Sequence, residues 1–417
     1  MGQTMAEKVF SCRTGGDVRA GDYVVVPVNM AMCHEGFLMS SAKLIANGIT
    51  RIWDPEKVVV IMDHYVPSPN IGMAEGHAQI RKMVQQFGIT HFYGEREGIC
   101  HQVMVEKGHV LPGDLIVGTD SHTGTYGALG AAATGIGTSE MAYVLATGEL
   151  WFQVPYSLRV KLNGTLPEMV SAKDVSLELA GRFGTEFAQY RSIEFTGELV
   201  EDLSIASRLV LSNMSIEVGA KFGMFRVDDV TLAYLKSVGI DDAQVFGPDD
   251  DAVYENEYEL DVDGLEPLAA LPHSVGNVKP VREIAGEPIQ QAMLGSCTNG
   301  RLEDLRAAAD IIKGHQVASS VRMYVYPASR EVFGKAMDEG IIQVLSKAGA
   351  IICPPSCGPC FGSHGGLLAS GESCISSTNR NFKGRMGSPE ANVYLASPAT
   401  VAASAINGRI TDPREVE

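Results

Sequence analysis

The sequence has few basic residues and no long apolar run, and each shortage argues against a class of protein. Lysine and arginine number 33 against 50 acidic residues, which gives a net charge of −17. Such a surface repels nucleic acid and anionic lipid, so neither is expected as a partner. No stretch approaches about 20 consecutive apolar residues, the length that a membrane-spanning helix needs. The start, MGQTMAEKVF, lacks the basic and apolar regions of a secretory signal, and we expect a cytoplasmic protein.

What the chain does contain is typical of an α/β protein with two or three domains. Its 417 residues are too many for one ordinary core. Short β-branched runs alternate with helical segments, a pattern that predicts mainly parallel sheets. Strands are predicted at 24–30, 57–63, 114–120, 323–329 and 350–356. Changes in composition near Pro155 and in the acidic segment 246–281 divide the chain. The predicted α/β domains are 1–155, 156–282 and 283–417.

The sharpest feature of the sequence is a group of cysteines in its last third. One cysteine lies in the motif GSCTNG (295–300), and two lie in CGPC (357–360), about sixty residues later. In a reducing compartment, closely spaced cysteines bind metal more often than they form disulfides. Three thiolates on a cubane cluster leave one iron without a protein ligand, and that iron can act as a Lewis acid. A structural zinc site stays open as an alternative, because Cys353 or a histidine could supply a fourth ligand.

Two Asp–His pairs follow predicted buried strands. Asp63 and His64 come after KVVVIM, and Asp120 and His122 come after DLIVGT. Parallel sheets bind ligands beyond the carboxyl ends of their strands, so both pairs are expected at a pocket. A carboxylate beside an imidazole orients the ring and supports its protonated form, which suits proton donation. A helix cap explains either pair alone, whereas the repeated arrangement, with His101 in GICHQ, favours a polar pocket.

Five motifs together resemble the aconitase superfamily: GSCTNG, CGPCFGS, TDSHTGTYGALG, GICHQ and TNRNFKGR. They occur in the family's order, and the best match is to the large subunits of 3-isopropylmalate dehydratase and homoaconitase. The resemblance implies three aconitase-like α/β domains with mainly parallel sheets around a cluster-containing cleft. It also implies one 4Fe–4S cluster per subunit on Cys297, Cys357 and Cys360, with one iron free to bind the substrate's hydroxyl and carboxylate. Cys353 and Cys374 have no role in this scheme and are expected to be small buried side chains.

The resemblance also implies roles for the acid–base residues. Those with an implied catalytic role are Asp63, His64, His101, Asp120, His122 and Glu217. Within this set, Asp63 and His64 handle protonation of the leaving hydroxyl group. The other histidines and Asp120 hydrogen-bond the substrate and an iron-bound water, and Glu217 lies near that water.

Dehydration of a di- or tricarboxylate needs cations for the carboxylates. Arg380 and Arg385, in TNRNFKGR, supply guanidinium groups suited to bidentate carboxylate binding. Without the resemblance, a solvated loop would explain these arginines better. With it, both are expected to bind substrate. The further residues that it implies are His34 and Ser121 for substrate binding, and Asn213 and Asn379 for the environment of the cluster.

The resemblance implies a partner chain as well. Full-length aconitases carry a further, swivelling domain that supplies the catalytic base, whereas this sequence ends at REVE (414–417). We therefore expect the fold to lack that domain and a separate small subunit to supply it. The expected reaction is the isomerisation of 2-isopropylmalate to 3-isopropylmalate in leucine biosynthesis. Homoaconitase and 2,3-dimethylmalate dehydratase stay open, because Phe37 and Leu38 are atypical beside His34. A non-catalytic metal-binding or RNA-binding relative is a more distant alternative.

Overall fold

The computed structural model describes residues 2–416, in which strands and helices alternate along most of the chain. Strands form within three of the predicted segments, 57–63, 114–120 and 323–329, and the segment 350–356 contributes a strand of two residues. Most strand pairs are parallel, so the predicted α/β class is confirmed. Within the described residues, every helix is too short or too polar to span a bilayer.

The first part of the chain builds a parallel sheet flanked by helices. Its strands are β1 Tyr23–Pro27, β2 Met30–Cys33, β3 Val58–Ile61, β4 His91–Tyr93, β5 Leu115–Gly118, β6 Ala132–Gly135 and β7 Glu149–Gln153. Strands β2 to β6 form a five-stranded sheet in the order β4-β3-β2-β5-β6, with β3 and β5 fully buried. The helices are α1 Met5–Thr14, α2 Phe37–Ala46, α3 Ile71–Phe87, α4 Cys100–Glu106 and α5 Thr138–Thr147, with 3₁₀ turns at Pro55–Lys57 and Ser121–Leu129.

The segment 24–30, predicted as one buried strand, divides between two sheets. Strand β1 pairs antiparallel with β7, and β2 lies at the centre of the parallel sheet. Two local features separate them. Pro27 has no N–H group to continue a ladder. The side-chain oxygen of Asn29 accepts the Leu115 N–H at 2.8 Å, which redirects the chain towards β5.

The second part of the chain contains a four-stranded parallel sheet. Its strands are β8 Ser157–Asn163, β9 Ser192–Thr196, β10 Phe222–Phe225 and β11 Asn256–Asp261, in the order β10-β9-β8-β11. The helices are α6 Ala172–Phe183, α7 Glu198–Asp202, α8 Ile205–Met214 and α9 Asp229–Ser237, and a 3₁₀ turn spans Ser215–Val218. Helix α6 begins at a capping box formed by Ser171 and Asp174.

The third part of the chain builds a seven-stranded mixed sheet. Its strands are β12 Leu268–Ala270, β13 Val278–Pro280, β14 Gln291–Gly295, β15 Arg322–Tyr326, β16 Ile351–Ile352, β17 Ser373–Ser376 and β18 Asn392–Ala396. Their order is β13-β12-β18-β17-β14-β15-β16, and β12 pairs antiparallel with both of its neighbours. The helices are α10 Val281–Ile284, α11 Ser296–Asn299, α12 Leu302–Ile312, α13 Arg330–Asp338, α14 Ile341–Lys347 and α15 Pro398–Asn407, with 3₁₀ turns at Gly358–Phe361 and Pro413–Glu415. The predicted domain boundaries stay predictions, and β12 and β13, which precede residue 283, belong to this sheet.

The carboxyl ends of strands from the first and third sheets lie close together. Asp63 follows β3, Asp120 follows β5, and Cys297 lies just beyond β14. The backbone N–H of Cys357 donates to the carbonyl of Asp63 at 3.2 Å and joins the two sides directly. Because α/β sheets bind ligands beyond these strand ends, the space between them is the expected place for a site.

Candidate active site

A cleft of about 540 Å³ opens beyond the ends of β2, β3 and β5. Six of the predicted site residues line it: His34, His64, Asp120, Ser121, Arg380 and Arg385. The first four come from the first sheet, and the two arginines come from the loop after β17. Apolar side chains complete the lining, among them Leu38, Met39, Met73 and Ile80. The cleft therefore offers hydrogen-bonding groups, cations and an apolar surface within one volume.

Asp63 and His64 form a buried pair at the end of β3. An Asp63 carboxylate oxygen lies 2.7 Å from His64 Nδ1, and the other accepts the backbone N–H of Cys100 at 2.7 Å. The carboxylate is thereby fixed, and so is the imidazole that it holds. The other ring nitrogen, His64 Nε2, lies 3.3 Å from an oxygen of Asp120, and the ring stacks on His34 with centroids 4.3 Å apart.

The surroundings of His64 favour its charged form. Burial by itself lowers the pKa of His64, but the Cys357 sulfur, the Asp63 carboxylate and the Asp120 hydrogen bond raise it well above the ordinary value. By contrast, burial and the neighbouring His64 lower the pKa of His34. The two stacked imidazoles are therefore different in character, because the surroundings favour the charged form of His64 and the neutral form of His34.

Asp120 connects three histidines. One carboxylate oxygen accepts the backbone N–H of His122 at 2.7 Å and lies 2.8 Å from His101 Nε2, and the other faces His64. Burial would raise the pKa of Asp120, but the hydrogen bonds with His101, His122 and His64 hold it well below its ordinary value. Asp120 is thus a fixed anion at the centre of a polar wall, which it forms together with His64, His101 and His122.

Glu217 links the first sheet to the arginine loop. Its Oε1 lies 2.8 Å from His122 Nε2 and 2.7 Å from Arg380 Nε, and a terminal nitrogen of Arg380 donates to Ser121 at 3.0 Å. Burial would raise the pKa of Glu217, but His122 and Arg380 lower it. Arg380 is therefore oriented by an anion on one side and by a hydroxyl on the other. Arg385 lines the same cleft without an ion-pair partner among the described residues.

The three predicted cysteine ligands are buried beside this polar wall, each on a tight turn. Cys297 is 6% exposed, Cys357 is 8% exposed and Cys360 is 6% exposed. The turn before Cys297 needs Gly295, where a Cβ would lie 2.3 Å from the Tyr326 carbonyl oxygen. The turn between the other two needs Gly358, which has φ +55° and lies against the Tyr326 ring. Both turns therefore require glycine at these positions.

Side-chain amides surround the cysteine sulfurs. The amide groups of Asn213 and Asn379 donate to Cys297 Sγ at 3.3 Å and 3.4 Å. The amide oxygen of Asn379 lies 3.5 Å from Cys360 Sγ, so this asparagine contacts two of the three cysteines. Amide donors of this kind stabilise thiolate ligands and tune the metal that they bind.

Two of the three thiols are poor anions in this environment. Burial, together with the neighbouring Cys360, raises the pKa of Cys297 to about 12. Burial also raises the pKa of Cys357 well above its ordinary value, and Cys297 contributes to that rise. The sulfurs are therefore close enough to repel one another as thiolates. A bound cationic group is needed to draw Cys297 and Cys357 into the thiolate form.

The spacing of the three sulfurs suits a cluster better than a single ion. Among the described residues, the groups whose ligand atoms all lie within 4.8 Å of one another are His34–His64–Asp120 and Asp63–His64–Cys357. The three cysteine sulfurs do not form such a group. Thiolates bonded to one zinc at about 2.3 Å would lie well within that separation. The donor set therefore fits a multi-iron cluster, with three thiolates and amide donors around it.

Glu35 is a site residue that the sequence analysis missed. Its buried carboxylate accepts the backbone N–H groups of His64 at 3.2 Å and Tyr65 at 3.0 Å, and it lies 3.4 Å from His77 Nε2. Burial would raise the pKa of Glu35, but His77, His64 and His34 lower it to about 2. Its position next to His34 was the available signal, since it repeats the pairing of a carboxylate with a histidine after a strand.

Two buried cations behind the cysteines were also missed. Arg301 donates to the carbonyl groups of Cys297 at 2.8 Å and Thr298 at 2.7 Å, and its position just after GSCTNG was a possible signal. Lys173 donates to the carbonyl groups of Ser377 and Thr378. No local motif surrounds Lys173. By contrast, Cys374 is a buried residue of β17, as expected for a cysteine without a role.

A polar cleft at the carboxyl ends of parallel strands, with imidazole–carboxylate pairs beside three buried cysteines, defines an α/β enzyme with an acid–base and thiol centre. Comparison with known proteins identifies the family within this class of enzymes. The sequence profile of the aconitase family (aconitate hydratase) matches residues 14–291 and 277–408. The chain belongs to the aconitase family, which confirms the resemblance of its motifs.

Individual relatives extend along the whole chain. The 3-isopropylmalate dehydratase large subunit 1 of Methanopyrus kandleri is 53% identical, over 99% of this chain and 99% of that protein. The methanogen homoaconitase large subunit of Methanocaldococcus jannaschii is 45% identical, over 98% of this chain and 99% of that protein. Among solved structures, aconitase X of Thermococcus kodakaraensis has a TM-score of 0.53 at 12% identity, over 90% of this chain and 89% of that chain. That likeness shows a shared fold.

Proposed function

We propose that this chain is the large subunit of a hydro-lyase of the 3-isopropylmalate dehydratase type. The observation that carries the proposal is that His64 and Arg380 line one cleft, with Asp63 and the three cysteines buried beside it. The names of the relatives support the same conclusion, since proteins 53% and 52% identical to this chain are called 3-isopropylmalate dehydratase large subunits. The reaction would convert 2-isopropylmalate into 3-isopropylmalate by removal and return of water.

Cys297, Cys357 and Cys360 would hold a 4Fe–4S cluster. When bound, such a cluster supplies one iron without a protein ligand, a Lewis acid for a hydroxyl and a carboxylate of the substrate. The amides of Asn213 and Asn379 would donate to the sulfur of Cys297 and hold it in place.

His64 would deliver the proton that the departing hydroxyl group takes with it as water. Its raised pKa keeps the imidazolium populated at neutral pH, and Asp63 orients the ring through Nδ1. The Nε2 atom is then the donating position. Asp120, held by His101 and the backbone of His122, lies 3.3 Å from that atom and fixes the second end of the ring.

The substrate's carboxylates would bind at the arginine end of the cleft. Arg380 and Arg385 line it, and Ser121 and the neutral His34 offer hydrogen bonds beside them. Two contacts orient the guanidinium group of Arg380. Glu217 pairs with it at the Nε side, and one terminal nitrogen donates to the Ser121 hydroxyl. A guanidinium fixed in this way loses little conformational freedom when it takes a carboxylate.

The remaining wall of the cleft supports an alkyl substituent on the substrate. Leu38, Met39, Met73 and Ile80 line it, and methionine adapts readily to differently shaped apolar groups. This apolar surface favours isopropylmalate over a substrate with a charged side arm. The homoaconitase names among the relatives keep a longer, carboxylate-bearing substrate as the second candidate.

The proton on the carbon next to the hydroxyl-bearing carbon needs a base, and we propose that a small subunit supplies it. The name "large subunit" on the relatives implies such a partner for them. The small subunit would close the cleft from its open side, so that the base and the His64 proton donor act on opposite sides of one substrate. A cytoplasmic setting and the absence of nucleic-acid and membrane partners stay predictions.

The test is anaerobic reconstitution of the chain, followed by iron and zinc analysis and assay with a separately produced small subunit. We expect about four irons per chain, a broad brown absorbance, and isomerisation of 2-isopropylmalate only when both subunits are present. Cys297→Ala should abolish the iron, whereas Cys12→Ala, which changes an exposed cysteine, should not. Stoichiometric zinc would overturn the cluster assignment. Full turnover by the large chain alone would overturn the requirement for a partner.

A further inference from the structure

A lysine is buried completely behind the loop that carries the substrate-binding arginines. Lys173 is the second residue of α6, and its side chain is 0% exposed. Its ammonium group donates to the carbonyl oxygens of Ser377, at 3.2 Å, and Thr378. Among residues 2–416, no carboxylate oxygen lies within 4.0 Å of it. The neighbouring Asp174 is engaged elsewhere, with Ser171 and the Leu268 N–H.

An ammonium group in such a place needs an anion. Two carbonyl oxygens satisfy part of its hydrogen-bonding capacity but leave its charge uncompensated, and isolated buried charges are strongly unfavourable. Burial lowers the pKa of Lys173 to about 8, and the opposing influence that raises it comes first from the sulfur of Cys360. The geometry agrees, because Asn379, the residue after Thr378, contacts the sulfurs of Cys360 and Cys297 and so places these ligands beside the loop that Lys173 holds.

We propose that Lys173 is a positioning residue with two tasks: it holds the loop 377–380 through its carbonyl groups, and its charge offsets the negative charge of the cysteine ligands. The proposal rests on the proposed function, because it assumes a cluster on those cysteines. Three thiolates carry more negative charge than an oxidised cubane core carries positive charge, so the loaded site stays anionic. A buried cation nearby stabilises it, and more so after reduction.

The loop that Lys173 holds carries residues of both the cluster site and the substrate site, so Lys173 also has a positioning role besides its charge. Thr378 is followed by Asn379, which contacts the sulfurs of Cys297 and Cys360, and then by Arg380, which pairs with Glu217. A shift of the Thr378 carbonyl would move an amide donor at the cluster and a guanidinium in the cleft together. Lys173 thus lies behind both the cluster site and the substrate site without touching either.

The test compares three variants of the full chain. Lys173→Met removes charge and donors at similar volume, Lys173→Gln keeps a donor without charge, and Lys173→Arg keeps both. Lys221→Met is the matched control, because Lys221 is another largely buried lysine, near the Phe152 and Tyr190 rings and away from the cleft. The measurements are iron per chain after anaerobic reconstitution, the rate of cluster loss in air, and the reduction potential of the cluster.

We expect cluster loss about 10- to 100-fold faster in Lys173→Met, the range found when a supporting partner of a metal ligand is removed. The reduction potential should fall in both uncharged variants and stay near the parent value in Lys173→Arg and Lys221→Met. Equal potentials in all variants would overturn the charge role, because a purely structural lysine would not move that quantity selectively.

Loss of folding is also informative. One outcome is that Lys173→Met and Lys173→Gln fail to fold while Lys173→Arg folds and binds iron. In that case the proposal stands, because the site then requires a positive charge. Unfolding of all three would assign the lysine to packing alone and overturn it. An unaltered parent chain that takes up no iron would instead refute the proposed function, and so the two failures are distinguishable.

Discussion

The imidazole of His122 lies 2.8 Å from the carboxylate of Glu217, and the two residues are 95 positions apart in the chain. His122 belongs to the turn after β5, and Glu217 belongs to the 3₁₀ turn after α8. The same carboxylate oxygen lies 2.7 Å from Arg380, which comes from the third part of the chain. One buried carboxylate therefore fixes His122 relative to Arg380, which we propose as a carboxylate-binding residue.

Replacing Glu217 with glutamine should disturb both ends at once. The amide keeps the shape of the side chain but removes the negative charge that orients Arg380 and the partner of His122. We expect kcat of the assembled enzyme to fall about 10- to 100-fold, with the iron content unchanged. Glu372→Gln is the control, because it breaks another Glu–Arg pair, with Arg322 at 2.8 Å, away from the cleft. Equal kcat in the two variants would contradict the proposed bridging role.

Replacing His64 with asparagine should remove the proton donor while leaving the cleft folded. Asparagine is also polar but cannot hold a proton at neutral pH. We expect kcat to fall by about 100-fold or more, the usual contribution of a positioned acid. The half-buried His315, which follows helix α12 and does not line the cleft, provides the control variant His315→Asn. The measurement is kcat from steady-state assays at saturating substrate. A kcat of His64→Asn close to that of the parent enzyme would rule out His64 as the proton donor.

The parts of the site that could be predicted from the sequence are the residues that lie in short local motifs. Asp63 and His64 directly follow a buried strand, and the chemistry of a strand end places them at a cleft. The turns around Cys297 and Cys357 contain glycines whose backbone conformations leave little choice of residue. Local sequence was sufficient because the backbone geometry and the side-chain chemistry are both set within a few residues.

The parts that it did not predict depend on partners distant in the chain. Glu35 contacts the backbone of a residue 29 positions away, and Lys173 contacts carbonyl groups 204 and 205 positions away. Lysine and glutamate are ordinarily exposed, and the one local signal is the neighbouring His34 for Glu35, whereas no local motif marks Lys173. The segment 24–30 was assigned to one strand for a similar reason: its hydrophobic pattern shows that it is extended, but not that two different sheets receive its halves.

Replacing Gly358 with alanine should weaken the turn between two cysteine ligands. Gly358 has φ +55°, and a Cβ there would lie 2.6 Å from the Tyr326 ring. We expect a loss of about 1–3 kcal/mol in the free energy of unfolding and a lower iron content after reconstitution. Gly334→Ala is the matched control, since that helical glycine has open space around it and alanine favours helices. Full iron content in Gly358→Ala would show that the turn tolerates the methyl group.

The buried carboxyl of Glu194 should make stability depend on pH. It accepts the Met5 N–H at 2.7 Å and the Tyr254 hydroxyl at 2.7 Å, and burial raises its pKa from 4.5 to about 7. The folded chain then keeps a proton that the unfolded chain releases, so stability falls as pH rises from 4.5 to about 7 and stays low above it. Glu194→Gln should abolish that loss. We expect similar stability at pH 4.5 and a variant more stable by up to about 3 kcal/mol at pH 8, measured by chemical denaturation. Glu259→Gln, on the exposed side of β11, should follow the parent at both pH values, and a Glu194→Gln curve parallel to the parent's would exclude this titration.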